Sequence, residues 1–82
     1  MTLGKRIKLL LKHGESTQRN LAHFCYKTSE TKISRIINGK TEPTLEQLED
    51  IARYFHLTID ELLGKCPILD ELLEDYEVRL IN

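Results

Sequence analysis

Apolar residues recur along almost the whole chain at the three- and four-residue spacing of an α-helix, and no segment alternates with a period of two. Leu3, Ile7, Leu10 and Leu11 share one helical face, which predicts a first helix from Thr2 to about Lys12, ending before Gly14. Ser16 or Thr17 offers a capping hydroxyl for a second helix, with Leu21, Ala22, Phe24 and Cys25 as its apolar face. Tyr26-Lys27-Thr28 carries no periodicity and reads as a turn. Ser29 can cap a third helix, Glu30 to Ile37, buried through Ile33, Ile36 and Ile37 and closed by Asn38-Gly39.

Pro43 blocks continuation, and Thr44 can cap a fourth helix with Leu45, Leu48, Ile51, Ala52 and Phe55 as its core stripe. Thr58, with Glu61 three residues on, has the form of a capping box for a short fifth helix ended by Gly64. Pro67 suits the first turn of a sixth. There Ile68, Leu69, Leu72, Leu73, Tyr76 and Leu80 share one side, and Asp70, Glu71, Glu74, Asp75 and Glu77 cover the rest. The expectation is an all-α chain: a helical domain over residues 1–64 and an amphipathic helical extension over residues 65–82.

Composition excludes several function classes. The 82 residues, 30% charged and 40% apolar, suit one small globular domain. No uninterrupted apolar run exceeds three residues, so no membrane association is expected. Lys5, Arg6, Lys8 and Lys12 alternate with apolar residues, unlike a signal peptide. Cys25 and Cys66 read as reduced thiols in a cytoplasmic protein. Neither they nor His13, His23 and His56 show a metal-ligand spacing. Glu74-Asp75 reads as a solvated face, and single glycines make no phosphate loop. No catalytic residue, metal or cofactor is expected.

Charge is more informative than its sum. Residues 1–40 carry nine basic side chains against two acids, a net +7; residues 41–82 carry three against eleven, a net −8. One end of such a chain is suited to a polyanion. Two short helices joined by a turn, the second basic and rich in hydroxyls, describe a helix-turn-helix.

Thr17-Gln18, Leu21-Ala22, Ile33-Ser34-Arg35-Ile36, Asn38-Gly39-Lys40, Pro43 and Ile51-Ala52 stand in the order and near the spacing of one family. Over roughly residues 3–63 the chain resembles the phage Cro/CI-type (XRE-like) helix-turn-helix transcriptional regulators. The resemblance implies a compact five-helix, lambda-repressor-like bundle whose third helix enters the DNA major groove. By position it makes Glu30, Thr31 and Arg35 base readers flanked by Lys32 and Ser34. Arg can bond guanine O6 and N7 together, Glu can accept from cytosine N4, and Thr can meet a base edge or a thymine methyl. It makes Thr17, Gln18, Asn38, Lys40 and Thr41 phosphate contacts, which set register and affinity.

The chain departs from the family in three places. The turn after the second helix has Tyr26 or Lys27 where Gly is usual, and the spacing from Ala22 to Ile33 is one residue longer. The segment from Gly14 to Thr17 is also one residue longer, with Glu15 and Ser16 where a core Leu is common. Leu11 and Ile37 stand at positions where many members bury an Arg–Glu pair. Replacing both partners by apolar residues strands no charge.

The terminal helix can complete the core, pair with a twofold mate or bind another protein. Pairing is favoured, because helix-turn-helix proteins read two half-sites as dimers. Leu69, Leu72, Leu73, Tyr76 and Leu80 are its interface candidates. The expected function is sequence-specific binding of double-stranded DNA by a bacterial or phage-encoded dimer that represses from an operator. The alternative is an antitoxin or other interaction module whose terminal helix binds a partner protein.

Overall fold

The computed structural model describes residues 1–25 and 28–81. Among them lie six helices and no strand: α1 (Leu3–His13), α2 (Gln18–Phe24), α3 (Glu30–Ile37), α4 (Leu45–Tyr54), α5 (Ile59–Leu62) and α6 (Pro67–Ile81). The all-α expectation holds. Tyr26 and Lys27, part of the expected turn and the site of the missing glycine, lie outside the described residues.

Hydroxyl caps set where five of the helices begin. Thr2, Thr17, Ser29, Thr44 and Thr58 each accept from the backbone N–H three residues on, at 3.1–3.2 Å. Thr2 is therefore a cap, and α1 begins one residue later than the apolar spacing predicts. At Thr44 and Thr58 the side chains of Gln47 and Glu61 return a bond to the cap's own N–H, at 2.9 Å, closing two capping boxes.

The core gathers Ile7 and Leu11 from α1, Leu21 and Cys25 from α2 and its end, Ile33, Ile36 and Ile37 from α3, Ile51 and Ala52 from α4, and Leu62 from α5. Leu11 and Ile37, the apolar pair noted in the sequence, are both in it. Leu45 is a correction: it is 64% exposed. It occupies the first turn of α4, one turn beyond a Leu48 that is itself only half-buried, and α4 is fully covered only from Ile51. Phe24 is likewise on the surface, but its ring meets the edge of Tyr54 at 5.2 Å, and Tyr54 meets Phe55 at 5.1 Å.

The longer segment before α2 has a definite conformation. Glu15 takes a left-handed turn (φ +52°), and the Ser16 N–H donates to the Leu11 carbonyl at 2.8 Å. Ser16, where a core leucine is common in the family, instead shares a hydrogen bond between its Oγ and the Tyr54 hydroxyl.

α6 returns along α1. Its Leu73 is buried, its Tyr76 ring meets His13 edge-on at 5.1 Å, and its Glu77 pairs with Lys5 at 3.1 Å. The deepest contact is Asp70 on Arg6, a residue only 3% exposed. Arg6 Nε and Nη2 donate to the two Asp70 carboxylate oxygens at 2.8 and 2.9 Å, while Nη1 donates to the Leu62 carbonyl at 3.0 Å. Gly64, between α5 and α6, is required twice over: its φ is +83°, and a Cβ there would lie 2.2 Å from Arg6 Nη2. The radius of gyration, 12.0 Å, is close to the ~11.7 Å of one compact body of this length, so α6 does not project away. Among the described residues no helix is long and apolar enough to cross a membrane.

Candidate nucleic-acid interface

α3 is shaped by a division of its own surface. Ile33, Ile36 and Ile37 anchor α3 in the core, which turns Glu30, Thr31, Lys32 and Arg35 to solvent and leaves Ser34 half-buried. Residues three and four apart share a helical face, so Glu30, Thr31, Ser34, Arg35 and Asn38 stand together. An open groove of about 490 Å³ runs along them, lined also by Gln18 at the start of α2 and by Lys40 beyond α3. The tertiary structure thus brings seven of the candidate residues to one surface.

Three candidates lie elsewhere. Lys32 is exposed but is two positions from Glu30 and Ser34, off the shared face, and does not line the groove. Thr17 caps α2 and lines a different groove, beside α1. Thr41 lines a third, with Gly4, Ile37 and Pro43.

Local bonds hold the groove's shape. Asn38 Nδ2 donates to Ser34 Oγ at 3.4 Å. After Gly39 (φ +71°) the chain turns back, and the Lys40 N–H donates to the Arg35 carbonyl at 2.9 Å. Lys40 is thereby fixed just past the C-terminal end of α3. Arg19, passed over in the sequence, pairs its Nε with Glu30 at 3.6 Å, linking the exposed starts of α2 and α3. A pair between two helices has no sequence spacing to reveal it.

On α6, Leu72 is 63% exposed and Leu80 is exposed, while Leu69 and Tyr76 are half-buried beside Leu10 and His13. Leu73 faces inward and is covered by its own chain. Among the described residues no group of three or more His, Cys, Asp or Glu side chains could hold a metal ion.

A model of the helix-turn-helix family matches residues 7–62, from the middle of α1 to the end of α5. The chain belongs to the XRE-type helix-turn-helix family. Members of this family are DNA-binding transcription regulators. An HTH-type transcriptional activator, BcrR of Enterococcus faecalis, is 38% identical over 64 residues. The match covers 78% of this chain but 31% of the relative, so the chain spans about a third of that protein's length. No solved structure matches. The helix-turn-helix match ends where α5 ends, which leaves α6 outside it.

Proposed function

We propose that this domain reads a specific operator with α3 in the major groove and represses transcription by occupying it. One observation carries the reading: Glu30, Thr31, Ser34 and Arg35 share a single open face of α3, with Gln18 and Lys40 at its borders. Arg35 is the reader with the most discriminating chemistry, through a bidentate bond to guanine, and Glu30 and Thr31 add cytosine and thymine contacts. Gln18, Asn38 and Lys40 bind phosphates on either side and fix the register.

The domain acts as a homodimer on an inverted repeat, its half-sites about one helical turn apart. Leu72, Leu80 and Ile68 are the exposed apolar residues of α6 that support this pairing. Leu73 contributes only from below, as the residue that seats α6 on its own domain. A second reading, activation, is favoured by the name of the Enterococcus faecalis relative.

The test is selection of the purified protein on random duplex DNA, followed by a promoter fusion carrying the selected site. An enriched inverted repeat supports the dimeric operator reading. Higher expression without the protein then means repression, and lower expression means activation. No enriched sequence would transfer the assignment to a partner-binding module, with α6 as the contact.

A further inference from the structure

A second groove, beside α1, adjoins the reading face and is lined by lysines. Lys5, Lys8 and Lys12 stand at helical spacing on one side of α1 and line a groove of about 380 Å³ closed by Thr17 and Gln18. Gln18 also lines the groove along α3, so the lysine stripe and the reading face meet at that side chain. Lys8 and Lys12 are exposed, and neither has a carboxylate partner among the described residues.

Helix electrostatics do not account for the stripe. A cation is favoured at a helix C-terminus, which suits Lys12, but is disfavoured near the N-terminus, where Lys5 stands and where α1 has no acid in its first turn. Like charges one turn apart also repel. The stripe extends about 10 Å along α1 at ~1.5 Å per residue.

We propose that this groove is a second backbone site, in which Lys8 and Lys12 bind phosphodiester oxygens beside the half-site. We further assign Glu77 of α6 as a competing anion that occupies Lys5, at 3.1 Å, and so trims the contact. The proposal rests on the DNA-binding reading above. It explains why the acidic helix lies against the basic one: α6 sets how far along α1 the DNA backbone is held.

The experiment is a salt titration of binding to the selected duplex. With K8Q and K12Q together, the slope of log K against log salt falls in magnitude by about 1.8 per protomer, at ~0.9 per phosphate contact, with base preference unchanged. K65Q, which removes a lysine that does not line the groove, leaves the slope unchanged. E77Q tightens binding about two- to fivefold, the scale of one surface ion pair, while E71Q, an equal charge change without a lysine partner among the described residues, does not. A slope unaltered by K8Q/K12Q, or equally altered by K65Q, overturns the lysine site. Equal effects of E77Q and E71Q overturn the competing role of Glu77. If the wild-type protein shows no salt-dependent duplex binding at all, the DNA-binding reading itself fails and this proposal with it.

Discussion

Arg6 of α1 and Asp70 of α6 form a two-bond ion pair, at 2.8 and 2.9 Å, between a buried guanidinium and a carboxylate at the edge of solvent. The same guanidinium also bonds the Leu62 carbonyl at 3.0 Å and the Met1 carbonyl at 3.3 Å. One side chain therefore ties together the start of α1, the end of α5 and the first turns of α6. Charge-assisted bonds in a forked geometry are among the strongest that side chains make.

Removing the acid while keeping its shape leaves Arg6 buried with unmatched charge. Asp70→Asn is expected to lower stability by about 1.5–3 kcal/mol, the range for hydrogen bonds to charged groups. That is a fall in Tm on the order of 10 °C for a domain of this size. The Arg6 hydrogen bond also holds the Asp70 carboxyl below its ordinary value of 3.8. A carboxyl depressed in the folded state stabilises above the unfolded pKa and loses that contribution as pH falls through the folded one. The wild-type protein should therefore lose this contribution as pH falls below about 4, and Asp70→Asn should show a flatter acid limb. Thermal melts from pH 7 to pH 2 give both results.

Gly4 marks the closest approach of α1 to α3. A Cβ at this position would lie 1.8 Å from the Ile37 carbonyl oxygen, a backbone atom that can move only with its helix. Gly4→Ala should force the two helices apart and cost about 3 kcal/mol or more, although alanine is the better helix former. Denaturant unfolding will show it. A stability within 0.5 kcal/mol of wild type, the usual range of a surface change, would mean that α1 shifts freely on α3.

Arg35 and Lys40 both border the α3 groove but should fail differently. Arg35→Ala is expected to relax choice at one base pair by about 1–3 kcal/mol. Lys40→Ala is expected to weaken all sequences alike and to reduce the salt slope by about 1. Binding to a panel of single-base operator variants at several salt concentrations separates the two effects. If neither change alters DNA binding, α3 is not the reading helix.

The two thiols differ in setting. Burial, with Asp50 nearby, pushes Cys25 up to about 11, whereas Cys66 is half-buried at the turn into α6. Near pH 8 a thiol reagent should therefore modify Cys66 in the folded protein and reach Cys25 only on unfolding, because the thiolate is the reacting form. Mass spectrometry of native and denatured samples should find one adduct and two. Rapid native labelling of Cys25 would mean that α2 opens from the core.

Most of the helical frame was legible in the residues. Caps and breakers act within three or four residues, so Ser29, Thr44, Thr58, Gly64 and Pro67 mark helix ends whatever surrounds them. The isoleucines of α3 also determined its outward face, because burying Ile33, Ile36 and Ile37 leaves Glu30, Thr31 and Arg35 outside. Family membership followed from the same local order.

Tertiary structure alone decided what the long-range contacts do. Arg6 reads as one more cation in a basic N-terminal segment, and its partner lies 64 residues away. Burial depends on which element covers a residue, and the pattern along α6 shows an apolar side without saying which part of it meets α1. Only the packed chain distinguishes Leu73, covered by its own domain, from Leu72, one position earlier and open to solvent. Helical periodicity determines direction around a helix axis; only packing determines what stands in that direction.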